Sequence, residues 1–474
     1  MSSRDIDTAS TLVGMEPIEH EDQPQAEDEQ KRRTQPVRRP RRVDEPTFLP
    51  EPPRSVEATG LSRSYLESLL MKHLFQGGDM RGADLIRRTC LSSSVVEDVM
   101  DRLHYQKLVD IKGATGAGLG RSAMIFTLTD AGHQTCRHYR ERDRYIGPAP
   151  VPFDYWVQAT NAQTIRGSGL HREDIESHLS DLTLTDEVFD AIGPAMNSGK
   201  SLFLYGPPGN GKTAICQRMT RCFGGDVFVP HSVLVDDFVI KVFDESVHQR
   251  SKIDGEPTDE RWVRCRRPMV FVGGELTLEE LDLAYSSDVR FYEAPLQMKA
   301  CCGVLLIDDF GRQRVSPKDL LNRWIVPLEN EIDFLTLHTG KKIQVPFDVF
   351  VVFSTNLDPS LLVDNAFLRR VRYKLAMRQP DRSGYETIFR MECDQRGIDY
   401  VPGVVEHLIR EHYEGSRRPF NACEPRDLLS QVEDLCAYKG VEPFLSNEII
   451  DAVAHNYFVR FGEPGETSDT LARV

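Results

Sequence analysis

Ser201-Leu202-Phe203-Leu204-Tyr205-Gly206-Pro207-Pro208-Gly209-Asn210-Gly211-Lys212-Thr213-Ala214 is the stretch on which the fold turns. Leu202 to Tyr205 is a short apolar run of the kind that forms a buried strand. G-x-x-x-x-G-K-T follows, and Ala214-Ile-Cys-Gln-Arg-Met can continue as a helix. Strand, glycine loop and helix in that order form the context of a phosphate-binding loop. Gly206, Gly209 and Gly211 let successive N–H groups turn inward on a phosphate. The helix adds its N-terminal dipole. Lys212 offers a compact cation to the β- and γ-phosphates, and the Thr213 hydroxyl is placed to hold Mg²⁺. Residues 206–214, Pro207, Pro208, Asn210 and Ala214 included, are therefore the expected nucleotide-binding segment.

Such a loop needs acidic groups opposite it. Gly303-Val-Leu-Leu-Ile307-Asp308-Asp309 reads as a buried parallel strand ending in two carboxylates, where α/β sheets place ligands. Asp308 is the expected Mg²⁺ group, acting through water, and Asp309 the group that orients or deprotonates the attacking water. Asp309-Phe310-Gly311 also spells a kinase signature, but the other kinase motifs are missing. Asp348-Val-Phe-Val-Val-Phe353-Ser-Thr-Asn356 is a further apolar strand with a polar end, and its Asn356 amide is a candidate for positioning the water.

The chain has 474 residues, enough for about three domains. A hydrophobic share of 40% with 28% charged residues describes a globular protein without a general affinity for polyanions, since the net charge is −15. Ten cysteines occur without any C-x-x-C pair, which points to reduced thiols in a cytoplasmic protein. The N-terminus lacks a signal-peptide layout, and no apolar run is long enough for direct membrane insertion.

Residues 1–53 carry an acidic block, a basic block (Lys31 to Arg42) and many prolines, a composition expected to be disordered. Residues 54–147 read as a small domain. Leu66, Leu69, Leu70 and Leu74 mark a first helix, Gly82 to Cys90 a second, and a third begins at Ser94-Val-Val-Glu97, a capping-box pattern. Leu108–Ile111 and Met124–Leu128 look like two strands around a glycine-rich tip, and Asp130 to Arg144 like a closing helix. The order resembles a winged-helix domain. Glu97, Asp98 and Asp101 on the third helix would repel phosphates, so nucleic-acid binding through residues 31–147 is not favoured over protein docking.

Residues 180–440 as a whole resemble the AAA+ ATPases. That resemblance implies an α/β P-loop core over residues 148–379 and a C-terminal helical lid over 380–474, with an insertion at about 230–300. Asp308-Asp309 then correspond to Walker B and Asn356 to sensor 1. The arginines of Asn365-Ala-Phe-Leu-Arg369-Arg370-Val-Arg372 supply a residue to the neighbouring subunit's nucleotide, either Arg369 or Arg370. Glu424-Pro-Arg426-Asp resembles sensor 2, with Arg426 reaching the γ-phosphate. Asp309 stands where the family usually has Glu, whose carboxylate reaches about 1.5 Å further. Phe291-Tyr292 is a substrate-gripping candidate, with core packing the favoured alternative.

Phe310-Gly-Arg-Gln-Arg-Val-Ser-Pro317 and Leu321-Asn-Arg-Trp-Ile-Val-Pro-Leu328 are similar to bacterial chaperone-type ATPases described as associated with Flp pilus assembly. The resemblance implies ATP and Mg²⁺ as ligands, a homo-oligomeric ring (a hexamer first) and an unidentified client protein. Protein remodelling is the leading function. An ATP-switched DNA-binding regulator and a nucleotide-gated scaffold with little turnover are the alternatives.

Overall fold

The structure, a computed structural model, describes residues 48–114, 121–251, 258–362, 368–416 and 418–458. The acidic and basic blocks of the tail, the glycine-rich tip at 115–120 and Asn365 to Phe367 lie outside the described residues.

The described chain begins with Phe48, whose ring packs against Tyr155, Phe228 and Trp262. Helix α1 (Arg63–Gly77) follows, capped by the Ser62 hydroxyl, which accepts from the Tyr65 amide. Strand β1 (Met80–Arg81), helix α2 (Gly82–Thr89) and helix α3 (Ser93–Tyr105) come next. The expected capping box at Ser94 is not formed. The N-cap of α3 is Ser92, without a side-chain cap bond, and the Ser94 hydroxyl donates instead to the Arg54 carbonyl at 2.9 Å. Strands β2 (Val109–Ala114) and β3 (Met124–Leu128) pair antiparallel, and β1 joins the far side of β3. Helix α4 (Asp130–Arg142) is capped by Thr129, which accepts from the Gly132 amide. Gly132 lies so close to strand β2 that a Cβ would meet the Leu108 carbonyl oxygen at 2.1 Å. Two charges of α3 are engaged within this unit, because Asp98 pairs with Arg63 at 2.9 Å and Arg102 with Glu67 at 3.0 Å.

Strand β4 (Val151–Pro152) and helix α5 (Phe153–Ala162) lead to helix α6 (Asp186–Ser198), strand β5 (Leu202–Tyr205) and helix α7 (Lys212–Cys222). After α7 come β6 (Asp226–Pro230), β7 (Ser232–Val235), β8 (Phe238–Lys241), β9 (Trp262–Arg266) and β10 (Met269–Val272). Then follow β11 (Ala284–Ser286), β12 (Phe291–Glu293), β13 (Gly303–Ile307), β14 (Ile332–Thr336), β15 (Lys342–Pro346), β16 (Val349–Thr355) and β17 (Tyr373–Ala376).

Five of these strands form one parallel sheet in the order β10-β13-β16-β5-β17. Both faces are covered, so β13 and β16 are buried along their whole length rather than at alternate positions. Period two then sorts their side chains. Leu202, Leu204, Val304, Leu306, Phe350 and Val352 pack with Ile192, Ile215 and Met219 of α6 and α7. Phe203, Leu305, Ile307, Val351 and Phe353 pack with Leu320, Leu321 and Trp324 on the opposite face.

The expected insertion at 230–300 is not one piece. Met269–Val272 pair in register with Val304–Ile307 and belong to the core sheet, so the added strands fall on either side of β10. Their second sheet runs β11-β12-β8-β7-β4, and β6 pairs antiparallel with β9. Arg261 is fully buried at this junction, bonded to Asp259 and to the carbonyls of Thr59 and Pro150. Tyr292 is buried against Phe238 and Phe291 packs on Tyr145, so the pair serves packing.

A C-terminal helical unit follows the sheet. Its helices α8 (Arg382–Arg396), α9 (Pro402–Leu408), α10 (Glu424–Lys439) and α11 (Asn447–Tyr457) enclose their own core, including Tyr385, Phe389, Leu428, Val432 and Ile450. All ten cysteines are free thiols. Among the described residues, no helix is long and apolar enough to cross a membrane.

Candidate nucleotide site

Parallel register carries the candidate residues to one edge of the sheet. Ile307 lies opposite Phe353, and Thr355 opposite Tyr205, so Asp308, Asn356 and Gly206 all leave their strands at the same end. Strand β16, bearing Asn356, stands between the strand of the aspartates and that of the glycine loop. The Gly206 amide donates to the Thr355 carbonyl at 3.3 Å, and the Phe310 amide to the Ser354 carbonyl at 2.7 Å.

Only glycine fits at two loop positions. A Cβ on Gly206 would lie 2.2 Å from the Met377 carbonyl oxygen, and one on Gly209 would lie 2.6 Å from Cys423 Sγ. Lys212 is buried, with Nζ donating to the carbonyls of Gly206 at 2.8 Å and Pro207 at 2.9 Å. Burial pushes its pKa below the usual lysine value, against the opposing pull of Asp308 and Asp309. Thr213 Oγ1 donates to Asp308 Oδ2 at 2.7 Å.

The acidic turn is held open by its own backbone. Asp309 sits at φ 49°, a left-handed conformation uncommon outside glycine, and Gly311 follows at φ 103°. Gln313, which sequence reasoning passed over, fastens the turn. Its Nε2 donates to the Asp308 carbonyl at 2.8 Å, and its Oε1 accepts from the Gly311 amide at 2.8 Å.

Pro208 to Ala214, Asp308, Asp309, Asn356 and Arg426 line one cavity of about 610 Å³ between the sheet edge and the helical unit. Gly206 and Pro207 lie beneath it, as the carbonyl acceptors of Lys212. The helical unit touches the loop directly. The Cys423 amide donates to the Gly209 carbonyl at 2.8 Å, and the Ala422 amide to Asn210 Oδ1 at 3.2 Å. Arg426 is half exposed and paired with Asp427 at 2.8 Å, and Arg396 joins it at the cavity wall. Neither Arg369 nor Arg370 lines this cavity. Arg369 is exposed, and Arg370 pairs with Glu329 at 2.6 Å.

The donor set fits a magnesium nucleotide. Thr213 and Asp308 present hard oxygen ligands side by side. Asn356 Oδ1, at the cavity wall, is a buried acceptor without a donor, and the partner it calls for is a water or an ammonium. Among the described residues no cluster of three or more His, Cys, Asp or Glu side chains forms a metal cage.

The fold and this site define an α/β P-loop architecture with a C-terminal helical lid, the arrangement implied by the AAA+ resemblance. A domain family of unknown function, DUF8689, matches residues 381–456, the span of the helical unit. No curated protein matches the sequence. Among solved structures, the chain is similar to NtrX from Brucella abortus at 14% identity and a TM-score of 0.37, over 63% of this chain and 60% of that one. It is also similar to the Holliday junction branch migration motor RuvB of Thermotoga maritima at 13% identity and a TM-score of 0.33, over 60% of this chain and 69% of that one. The chain thus spans about 60% of the length of NtrX.

Proposed function

We propose that the protein binds Mg·ATP in this cavity and hydrolyses it as an oligomeric ATPase of AAA+ type. The observation that carries the reading is the hydrogen bond from Thr213 to Asp308 on the wall of the cavity where Asn356 leaves an unused acceptor. Thr213 and Asp308 would hold Mg²⁺, which on binding would neutralise phosphate charge. Lys212 exchanges its two carbonyl partners for phosphate oxygens. Asn356 and Asp309 orient the attacking water, with Asn356 Oδ1 accepting one of its hydrogens. Arg426 neutralises charge from the lid side.

Arg369 and Arg370 stand away from their own chain's cavity, which supports a role for one of them at a neighbouring copy's nucleotide. An arginine supplied in this way is worth roughly 10³–10⁵ in rate and makes turnover depend on assembly. A closed ring, a hexamer first, is the assembly proposed, and protein remodelling or assembly the work it drives. The similarity to chaperone-type ATPases associated with Flp pilus assembly supports that direction. A DNA-binding regulator is less well supported, because Arg102, the main basic residue of α3, is engaged by Glu67.

Calorimetric titration of Mg·ATP into the full chain tests the reading. Saturable heat is expected, with the part due to the glycine loop lost in Lys212→Ala, together with phosphate release per chain that rises with protein concentration. No heat in the folded native chain would sink it. The nucleotide-gated scaffold remains a second reading, favoured by the shorter carboxylate of Asp309. Faster turnover in Asp309→Glu than in the native chain would support it.

A further inference from the structure

The end of helix α7 remote from the glycine loop borders a second cavity, of about 630 Å³, that the nucleotide reading does not use. Gln217, Thr220 and Arg221 of α7 form one wall, and Arg264, Arg266 and Arg267 of strand β9 and the turn after it form another.

The four arginines are not equivalent. Arg267 is consumed by the fold, donating to the carbonyls of Gly224, Gln163 and Cys302 at 2.8 to 2.9 Å. Arg264 is held by Asp226 at 2.7 Å. Asp226 is the single carboxylate among the described lining residues, and Ser251 also donates to it. Arg221 and Arg266 are exposed, and among the described residues neither is paired with a carboxylate. Among its described lining residues four arginines face one carboxylate, in a chain whose net charge is −15. Guanidinium forks gathered in a concave site match phosphate oxygens in shape as well as charge.

We infer that this cavity is a second anion site, taking a small phosphoryl-bearing ligand between Arg221 and Arg266, with Gln217, Thr220 and Gln249 as neutral hydrogen-bonding groups. The volume suits a ligand of up to nucleotide size. A long polyanion is disfavoured, because the rest of the chain would repel it. The site does not depend on the nucleotide reading, since it shares no lining residue with the first cavity.

Titration of inorganic pyrophosphate into the full Lys212→Ala chain, followed by calorimetry, separates this site from the glycine loop. One saturable site is expected. The double change Arg221→Glu and Arg266→Glu should weaken it by at least roughly tenfold, whereas Arg221→Lys with Arg266→Lys, which keeps the charge and loses the fork, should weaken it less than the two glutamates do. Both arginines are exposed, so far-ultraviolet circular dichroism should be the same for all variants. Absence of heat in the Lys212→Ala chain, or heat unchanged by the two glutamates, would overturn the inference. A short single-stranded oligonucleotide is the third arm. Tighter binding than pyrophosphate, abolished by the two glutamates, would overturn the small-ligand assignment in favour of nucleic acid.

Discussion

Gln313 and Asp308 are joined by a hydrogen bond of 2.8 Å from the Gln313 side-chain amide to the Asp308 carbonyl, and the other end of the same amide holds the Gly311 N–H. Asp309 lies inside that clasp at φ 49°. A left-handed aspartate persists only where its surroundings over-determine it, and such strain collects at functional sites. Gln313→Leu keeps the bulk and removes both bonds. Turnover should fall by about tenfold, ~1.4 kcal/mol of barrier, with nucleotide affinity within about twofold. Gln313→Glu keeps the acceptor for Gly311 and should recover part of the rate. Steady-state kinetics beside equilibrium nucleotide binding separates this positioning role from a general loss of fold.

Thr213 and Asp308 are the pair proposed to hold Mg²⁺. Thr213→Ala removes the hydroxyl that now meets Asp308 Oδ2. The expected result is a loss of at least about tenfold in Mg·nucleotide affinity, with metal-free nucleotide binding nearly unchanged. Asp308→Asn should behave alike. Fluorescent nucleotide titrations with and without Mg²⁺ give the comparison, and equal losses in both conditions would remove these residues from the metal site.

The glycine loop, the strand ending in Asp308 and the strand ending in Asn356 were legible because each motif couples a buried apolar run to a polar end. Parallel register then places such ends at one edge without further information. The capping box at Ser94 misled because Ser92 satisfies the backbone requirement two residues earlier, and local pattern alone does not rank two serines. The supposed single insertion failed because Met269–Val272 is short, and its place in the core is set by pairing with residues 304–307. Gln313 lies inside the Phe310–Pro317 phrase, but its role was not legible there, since it comes from a turn whose shape is not encoded by spacing. The contact of Ala422 and Cys423 with the glycine loop was equally hidden, as it joins residues about two hundred positions apart.

Arg261 and Asp259 make a stability prediction. The pair is buried, and the guanidinium also satisfies the Thr59 and Pro150 carbonyls, binding the segments before and after the N-terminal helices to the β region. Removing one partner leaves an uncompensated buried charge, which costs about 3–5 kcal/mol. Asp259→Ala should therefore lower the urea midpoint strongly, whereas the surface change Lys341→Ala, which breaks the exposed pair with Asp236, should cost less than about 1 kcal/mol. Similar midpoints for the two variants would show that the buried pair contributes little.

His231 sets a pH dependence of stability. Burial, helped by the nearby charge of Arg250, pushes its pKa down from 6.5 to about 4. Its ring packs edge-on against Phe243 at 5.3 Å. Between those two pH values the unfolded chain carries a proton on this imidazole that the folded chain refuses. The stability contributed by the neutral ring is thus fully present above pH 6.5 and lost as the pH falls towards 4. From about pH 7.5 to about pH 5 the loss attributable to this group is about 2 kcal/mol. His231→Phe retains an aromatic ring beside Phe243 and has nothing to titrate. The variant should lose less stability on acidification than the native chain by that amount. His73 and His248, whose pKa values burial also lowers, remain in both chains and cancel in the difference. Denaturant titrations of both chains at the two pH values give the measurement, and parallel losses would mean that His231 takes up its proton equally well in the folded and unfolded chain.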